Sequence, residues 1–480
     1  MGRGGRNTSN YGFRSVTFFG TDYSFVFSRE IKTSEMVEPT VQSEQIENAP
    51  VLFSQEWCIY RVPSQLRNVD EAAYTPQTLS IGPFHHGNPK LRDMVAHKNK
   101  YYELFCRRSG KSEDELRSFM MDHRETVLNC YAGTINCDID FLKLILVDAC
   151  FIIELFLTNS EQEQHCAHYY ILRSPWLRKT VERDLILLEN QLPYFLLQKL
   201  YDFAIPTFPN GHLGNGDQAQ GHAHKDSTNS QQCCFPCFRP GDFQENPIQS
   251  EPIQHGFLEL TCKFFKAYTK GKSVRNGFEP KHFTDLVRHF LCPYKELLWV
   301  KNYDQPVKIK YHATKLKVAG VKFVPLREPF VIKEDPVLTF NSACLAHKEL
   351  KLTRLWAEYE AGCIFRNTMA LEQLMYPEKP YICSYFSLMN QLINSEEDVG
   401  VLIEDGVIFN LLGSNKAVVN MISSLCEQIK EDHSCYSEIC QDLNSHYKTV
   451  WYHPLVGQLG PAKYVQVVDP LLSSQLDSGD

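Results

Sequence analysis

Residues 57–87 read WCIYRVPSQLRNVDEAAYTPQTLSIGPFHHG. The stretch follows neither helical nor strand periodicity, and its prolines and glycines are typical of tight turns that pack against neighbouring elements. The adjacent His85 and His86 suggest a catalytic or metal-binding pair, yet neighbouring histidines seldom converge on one ion and no third ligand follows at helical spacing. We therefore predict a structural role, in which this segment leads the chain into a large helical fold.

Helical patterns dominate the sequence after this segment. SEDELRSFMMDHRETVLNCYA offers Ser112 as an N-cap, with acidic residues in the first turn. The apolar spacing in RDLILLENQLPYFLLQKLYDFA predicts a helix capped by Asn190, with Pro193 in its first turn. Helical patterns return over residues 353–431, where Asn415 is the predicted N-cap of the last helix.

The most hydrophobic stretch is FLKLILVDACFIIELFL at residues 141–157, and its length raises the question of a membrane span. Lys143, Asp148 and Glu154 argue against one, because an acidic residue at the centre of a span costs about 2.5–3.5 kcal/mol. Seventeen residues are also at the short limit for crossing a hydrocarbon core of ~30 Å. We predict a buried helix of a soluble domain, with Asp148 and Glu154 facing polar partners or solvent.

One region has the character of strands. VKIKYHATKLKVAGVKFVPLREPFVIKEDPVLTF alternates polar and apolar residues and is enriched in valine and aromatic residues. This pattern predicts a small β-sheet within about 307–345. The alternating lysines indicate a solvated sheet face, and they are Lys308, Lys310, Lys315, Lys317 and Lys322.

The predicted fold class is mainly α: a large helical domain with a small β-sheet element and a long disordered insertion. Residues 1–50 are expected to form a variable, disordered N-terminal arm. The domain covers 51–450, and the insertion at 206–254 splits it into halves 51–205 and 255–450. The insertion is rich in Gly, Gln, His, Asn and Pro, a composition that cannot bury a core.

The insertion also holds the best candidates for a metal site, which are His222, His224, Cys233, Cys234 and Cys237. Its C-x2-C spacing could present two thiolates to zinc, but the second pair of ligands that a structural zinc site needs does not follow. The sequence therefore favours an unligated loop and predicts neither a metal nor another cofactor. A zinc-dependent interaction module and acylation of the cysteine pair remain alternatives.

Charge and cysteine content narrow the class of protein. Forty-nine basic and 57 acidic residues give a net charge of −8, which is not the electrostatic signature of a nucleic-acid-binding protein. Seventeen cysteines, many in apolar helical stretches, indicate reduced thiols in an intracellular compartment. The first residues lack the apolar stretch of a secretory signal.

No phosphate loop, nucleophile elbow or metal-binding box is present, so we predict no catalytic residue. Carboxylates beside apolar helical stretches, namely Asp148, Glu154, Asp184 and Glu189, are interpreted as anchors of buried networks or helix caps rather than as a general acid/base pair. The alternative is a hydrolase or transferase that uses a cysteine or carboxylate near the His85–His86–Gly87 turn.

Several motifs together resemble the plant domain-of-unknown-function 247 family over residues 55–447. They include CIYRVP, AYTPQTLSIGPFHHG, DACFIIELF, RDLILLENQLPYFLLQKLY and CIFRNTMALEQL, in that order. The resemblance implies a mostly helical fold with a small β portion and no established enzymatic activity. It also implies a role in reproductive recognition such as self-incompatibility, in development or in stress responses. We therefore expect a non-catalytic recognition or signalling protein whose partners are other proteins.

The C-terminal tail at 451–480 departs from the family pattern. Family members usually end in a hydrophobic helix that anchors them in a membrane, whereas YHPLVGQLGPAKYVQVVDPLLSSQLDSGD contains no apolar stretch of about 20 residues. The sequence as written predicts a cytoplasmic protein. Membrane association is expected instead if the gene model has lost the anchor.

Overall fold

The computed structural model describes residues 16–18, 21–23, 57–133, 135, 139–161, 170–205, 256–269, 274–292, 307–326, 348–432 and 434–452. Predictions on the insertion at 206–254, on the tail beyond 452 and on most of the arm at 1–50 lie outside the described residues. The chain divides into two compact units, residues 1–52 and 53–480. In the first unit, strand β1 (Val16–Phe18) pairs antiparallel with β2 (Thr21–Tyr23).

In the second unit the described residues form seventeen α-helices and three pairs of parallel strands. The helices are α1 Ser64–Val69, α2 Asp93–Ser109, α3 Glu113–Asp122, α4 Arg124–Asn129, α5 Ile139–Ser160, α6 Tyr170–Arg173, α7 Pro175–Asp184, α8 Tyr194–Ala204, α9 Phe257–Phe264, α10 Lys266–Thr269, α11 Phe283–Leu291, α12 Ala313–Val318, α13 Tyr359–Met375, α14 Tyr381–Leu392, α15 Glu396–Glu404, α16 Asn415–Cys426 and α17 Ser437–Tyr452. The strands are β3 Ile59–Tyr60, β4 Tyr131–Ala132, β5 Val321–Leu326, β6 Lys348–Thr353, β7 Leu355–Ala357 and β8 Ile408–Asn410. The pairs are β3 with β4, β5 with β6, and β7 with β8. The prediction of a mainly helical fold with a small β portion is confirmed.

The hydrophobic interior of this unit consists of two large clusters. The first surrounds α5 and includes α9 and α11, whose Phe257 and Phe283 pack against Phe156. The second lies among α12 to α17 and the strands β5 to β8. A small third cluster connects Leu188 and the 62–74 segment to Leu371 of α13. Residues from before and after the 206–254 insertion therefore share hydrophobic clusters, so the two halves of the helical unit pack together.

The prediction of a buried helix over residues 141–157 is confirmed, because α5 is buried there and its acidic residues have polar partners. Asp148 pairs with the ammonium of Lys98, and Glu154 accepts hydrogen bonds of 2.9 Å from Arg108. Across the described ranges, no helix combines the length and apolar character needed to cross a membrane.

Of the predicted N-caps, Ser112 is confirmed and two others are wrong. Ser112 forms a capping box with Glu115 at the start of α3. Asn190 caps no helix: α8 begins at Tyr194 after Pro193, because the Asn190 side chain bonds to backbone groups elsewhere. The cap of α16 is Ser414 rather than Asn415, since the Ser414 hydroxyl accepts the N–H of Ala417 at 3.2 Å.

The boundaries predicted for the sheet are also wrong in part. Strand β5 lies within 307–345, but its partner β6 begins at residue 348, and residues 313–318 form α12. Lys315 and Lys317 are therefore helical, whereas Lys322 lies in β5. The helix is favoured because the carboxylate of Asp398 accepts both the backbone N–H (2.9 Å) and the hydroxyl (2.7 Å) of Thr314 in its first turn.

Candidate functional site

The irregular segment at 75–88 is held in place by buried side chains from later in the chain. An irregular backbone has no ladder to satisfy its N–H groups, so other acceptors must do so. Asp184, at the end of α7, accepts the N–H groups of Gln77 (3.0 Å), Thr78 (2.7 Å) and Leu79 (3.0 Å). This one carboxylate therefore fixes the path of three successive residues.

Two residues after α7 and its turn, Glu189 and Asn190, also bind backbone groups from earlier in the chain. Asn190 accepts the N–H of Ile81 at 2.7 Å and donates to the carbonyl of Leu79 at 2.8 Å. Glu189 accepts the N–H of Val62 at 2.6 Å and binds the guanidinium of Arg67. Asn190 thus anchors the irregular segment itself, whereas Glu189 anchors the chain around Val62 and Arg67 that precedes it.

His85 and His86 differ in environment. His85 is partly buried, and its Nε2 lies 3.2 Å from the Glu189 carboxylate, although not in hydrogen-bonding alignment. Burial raises the pKa of Glu189, but the approach of His85 and Arg67 outweighs burial and leaves that pKa below its usual value. His86 is exposed. The two imidazoles therefore do not act as a pair.

A buried ion pair lies beneath the turn. Lys98 of α2 pairs with Asp148 of α5 and also donates to the carbonyl of Ser80 at 2.8 Å. The second oxygen of Asp148 accepts the N–H of Gly82 at 2.9 Å. Burial raises the pKa of Asp148, while Lys98 and the Gly82 N–H act in the opposite direction.

Above this pair lies a cleft of about 440 Å³, which we call the turn cleft. Its lining residues come from the turn, from α2 and from α5; they are Ser80, His85, His86, Gly87, Asn88, Leu91, Arg92, Met94, Val95, Lys98, Asn99, Lys143, Leu144, Val147 and Asp148. Its volume falls within the range of about 300–1,000 Å³ that is typical of small-molecule sites. A second hollow of about 780 Å³ shares Asn99, Lys143 and Val147 with it and extends towards α3 and α4.

Few of the residues singled out from the sequence lie at this cleft. The described residues that line it include both histidines and Asp148 but no cysteine. Asp184 and Glu189 lie behind it as backbone anchors, and Glu154 is paired with Arg108. Sequence reasoning missed Lys98, Arg92 and Lys143 as site residues. Arg92 and Lys98 lie in the stretch LRDMVAHKNKYY at residues 91–102, but the spacing of this stretch does not distinguish them from the other basic residues.

Neither the cysteines nor the potential metal ligands of the described residues form a reactive site. Burial raises the pKa of Cys292, Cys363 and Cys426 to about 12, which suppresses the nucleophilic thiolate. The described part of the chain contains no group of three His, Cys, Asp or Glu residues placed to hold a metal ion. The candidates His222, His224, Cys233, Cys234 and Cys237 lie outside the described residues.

Comparisons with known proteins agree with the motifs. The family described as "Plant protein of unknown function" (DUF247) matches residues 59–462. The chain is 26% identical to UPF0481 protein At3g47200 of Arabidopsis thaliana over 423 residues, which are 83% of this chain and 78% of the relative. It is 22% identical over 457 residues to putative UPF0481 protein At3g02645 of the same plant, with 82% of each chain covered. No solved structure shows significant similarity. The matched region includes the anchored segment, the turn cleft and both large cores, and the chain belongs to the DUF247 family of plant proteins of unknown function.

Proposed function

We propose that this chain is a non-catalytic recognition protein whose ligand occupies the turn cleft. The observation that carries this proposal is the cleft itself, in which apolar side chains surround a few polar groups that are held from behind. Leu91, Met94, Leu144 and Val147 provide apolar surface, while Lys98 and Asp148 are fixed by buried bonds. Concave, apolar sites with a few positioned polar groups are the usual form of small-molecule binding sites.

The state of the polar groups supports binding rather than catalysis. Asp148, the acid among the described lining residues, already binds Lys98 and Gly82, so its lone pairs are poorly placed for proton abstraction. A nucleophilic serine needs a base hydrogen-bonded to its hydroxyl. The ammonium of Lys98 instead donates to the backbone carbonyl of Ser80. A hydrolase or transferase finds no such pair among the described lining residues.

Biologically, the proposal is a role in recognition or signalling, consistent with the reproductive, developmental and stress-related roles that the family resemblance implied. The macromolecules to which it passes the signal would be other proteins, because a net charge of −8 disfavours binding to nucleic acid. We also propose an intracellular location. It is supported by the eleven free cysteines of the described ranges, since thiols persist in reducing compartments.

Binding of N-phenyl-1-naphthylamine, a neutral apolar fluorophore, to the full chain tests the ligand site. Val95 lines the cleft and is 48% exposed, so Val95→Trp should fill the cleft without disturbing the core. Val318→Trp is the matched control, because Val318 is 39% exposed on α12. We expect Val95→Trp to weaken binding by about tenfold, as steric overlap of this kind costs about 1–3 kcal/mol. Equal affinity in the two variants would contradict the proposal.

Catalysis is tested separately. The chain should hydrolyse p-nitrophenyl acetate no faster than its His86→Ala variant does. A rate that depends on His86 would favour the hydrolase alternative, because His86 is the exposed imidazole of the cleft.

A further inference from the structure

We infer that the ligand of the turn cleft is a small organic anion, with an apolar body and a single acidic group such as a carboxylate or sulfonate. This inference rests on the proposed function and specifies the class of molecule that the cleft recognises. The acidic group would bind to the cations of the lining, Arg92, Lys98 and Lys143, and the body would lie against the apolar wall.

The charges of the cleft carry the first step. Its described lining contains three permanent cations, Arg92, Lys98 and Lys143, but only one acid, Asp148. Asp148 is neutralised by Lys98. Arg92 and Lys143 are exposed, and neither has an ion-pair partner among the described residues. The cleft therefore presents an excess of two positive charges, even with both histidines neutral.

The position of Lys98 carries the second step. Its side chain is almost completely buried yet lines the cleft, with 5% of the residue exposed. An ammonium has three hydrogens, and Asp148 and Ser80 accept two of them. The third is left for an acceptor that enters the cleft. A hydrogen bond from a buried cation to an anion is stronger than one made in water, because the local dielectric constant is lower.

The apolar wall carries the third step. Leu91, Met94, Leu144 and Val147 line the same cavity of about 440 Å³. A free inorganic anion would leave these side chains unused, whereas a neutral apolar molecule would leave the cations without a partner. An apolar body with one acidic group satisfies both parts of the surface. A cationic ligand is disfavoured by repulsion from Arg92 and Lys143.

Two fluorophores that differ by one sulfonate group test this inference. 8-Anilinonaphthalene-1-sulfonate carries the acidic group, and N-phenyl-1-naphthylamine has the same ring skeleton without it. In fluorescence titrations of the full chain at low salt, we expect the sulfonate to bind about tenfold more tightly than the neutral probe, because charge-assisted bonds contribute more than neutral ones.

Variants on the rim separate charge recognition from apolar binding. Arg92→Gln combined with Lys143→Gln should lower affinity for the sulfonate about tenfold and leave affinity for the neutral probe within about twofold, as expected for loss of two exposed charge contacts. Lys100→Gln is the matched control, because Lys100 is an exposed lysine of α2 outside the described lining. It should change neither affinity. Far-UV circular dichroism checks that each variant folds.

The outcomes distinguish this inference from the proposed function. If the neutral probe binds as tightly as the sulfonate, or if the double variant binds the sulfonate normally, the anion inference is wrong and the cleft remains an apolar site. If neither probe binds, or if Val95→Trp affects neither, the proposed ligand site is wrong and the inference fails with it.

Discussion

Replacing Gly82 with alanine should destabilise the protein more than the same change at Gly87, although both glycines lie in the same turn. Their backbones are similar, with φ of +70° at Gly82 and +77° at Gly87. A Cβ at Gly82 would lie 2.7 Å from the carbonyl oxygen of Gln191, whereas a Cβ at Gly87 would meet nothing within 4 Å. The two substitutions therefore share the backbone cost and differ in the steric one.

The magnitude follows from these two terms. A left-handed conformation costs an alanine about 1–2 kcal/mol. At Gly82 the contact with Gln191 adds about 1–3 kcal/mol, which is typical of overpacking. The contact is not easily relieved, because the Gln191 carbonyl accepts the Tyr131 hydroxyl (3.1 Å) and the Gln191 amide makes further buried bonds. Gly82→Ala should therefore cost about 2–5 kcal/mol, and Gly87→Ala about 1–2 kcal/mol.

Equilibrium unfolding in guanidinium chloride, followed by circular dichroism, measures both free energies. The reasoning is refuted if Gly82→Ala costs no more than Gly87→Ala, because the close approach to Gln191 would then have no energetic consequence. A change in the slope of unfolding with denaturant would indicate an altered unfolded or native state or a loss of two-state unfolding, and the comparison then needs the midpoints as well.

Three further substitutions test separate parts of the fold. Burial raises the pKa of Glu182 to about 7. The protonated side chain therefore stabilises the folded state, and this contribution is lost as pH rises from the pKa of Glu182 in the unfolded chain towards 7. The stability advantage of Glu182→Gln over wild type should be about 2 kcal/mol larger at pH 8 than at pH 5.5 in unfolding experiments, and a pH-independent difference would contradict this. Asp184→Asn should lower the free energy of unfolding by about 3 kcal/mol in the same assay, because three backbone N–H groups lose a charged acceptor. Asp202→Asn is the control on an exposed residue and should cost little. Equal losses in the two variants would argue against the anchor role of Asp184. Ser112→Ala should lower stability by about 1 kcal/mol through loss of the capping box, and an unchanged unfolding midpoint would show that α3 does not depend on its cap.

Local patterns in the sequence predicted much of the helical architecture. The buried helix at 141–157 follows from its apolar composition and from the acidic residues that exclude a membrane span, and the cap at Ser112 follows from a four-residue pattern. Such features depend on neighbours within a few positions. The same local reasoning misplaced the cap at Asn190, since that amide serves Ile81 and Leu79, more than 100 residues earlier.

The candidate site was much less accessible from the sequence. The His85–His86 motif correctly marked the turn. The carboxylates Asp148, Asp184 and Glu189 could be interpreted only as anchors of buried networks or helix caps, without their partners. Lys98 is one of 49 basic residues in the chain, and nothing nearby in sequence distinguishes it from Lys100. Its importance comes from Asp148, which lies fifty positions later and is brought beneath the turn by packing of α2 on α5.

By itself, the sequence determined the family, the mainly helical fold class and the chain segments able to form buried helices, because apolar periodicity and capping are local properties. Only the tertiary structure decided which polar side chains hold the irregular segment at 75–88 and which cations face the turn cleft. Those pairings join residues that are about 50 to 110 positions apart. They are selected by the requirement that buried backbone and charged groups find partners once the helices have packed.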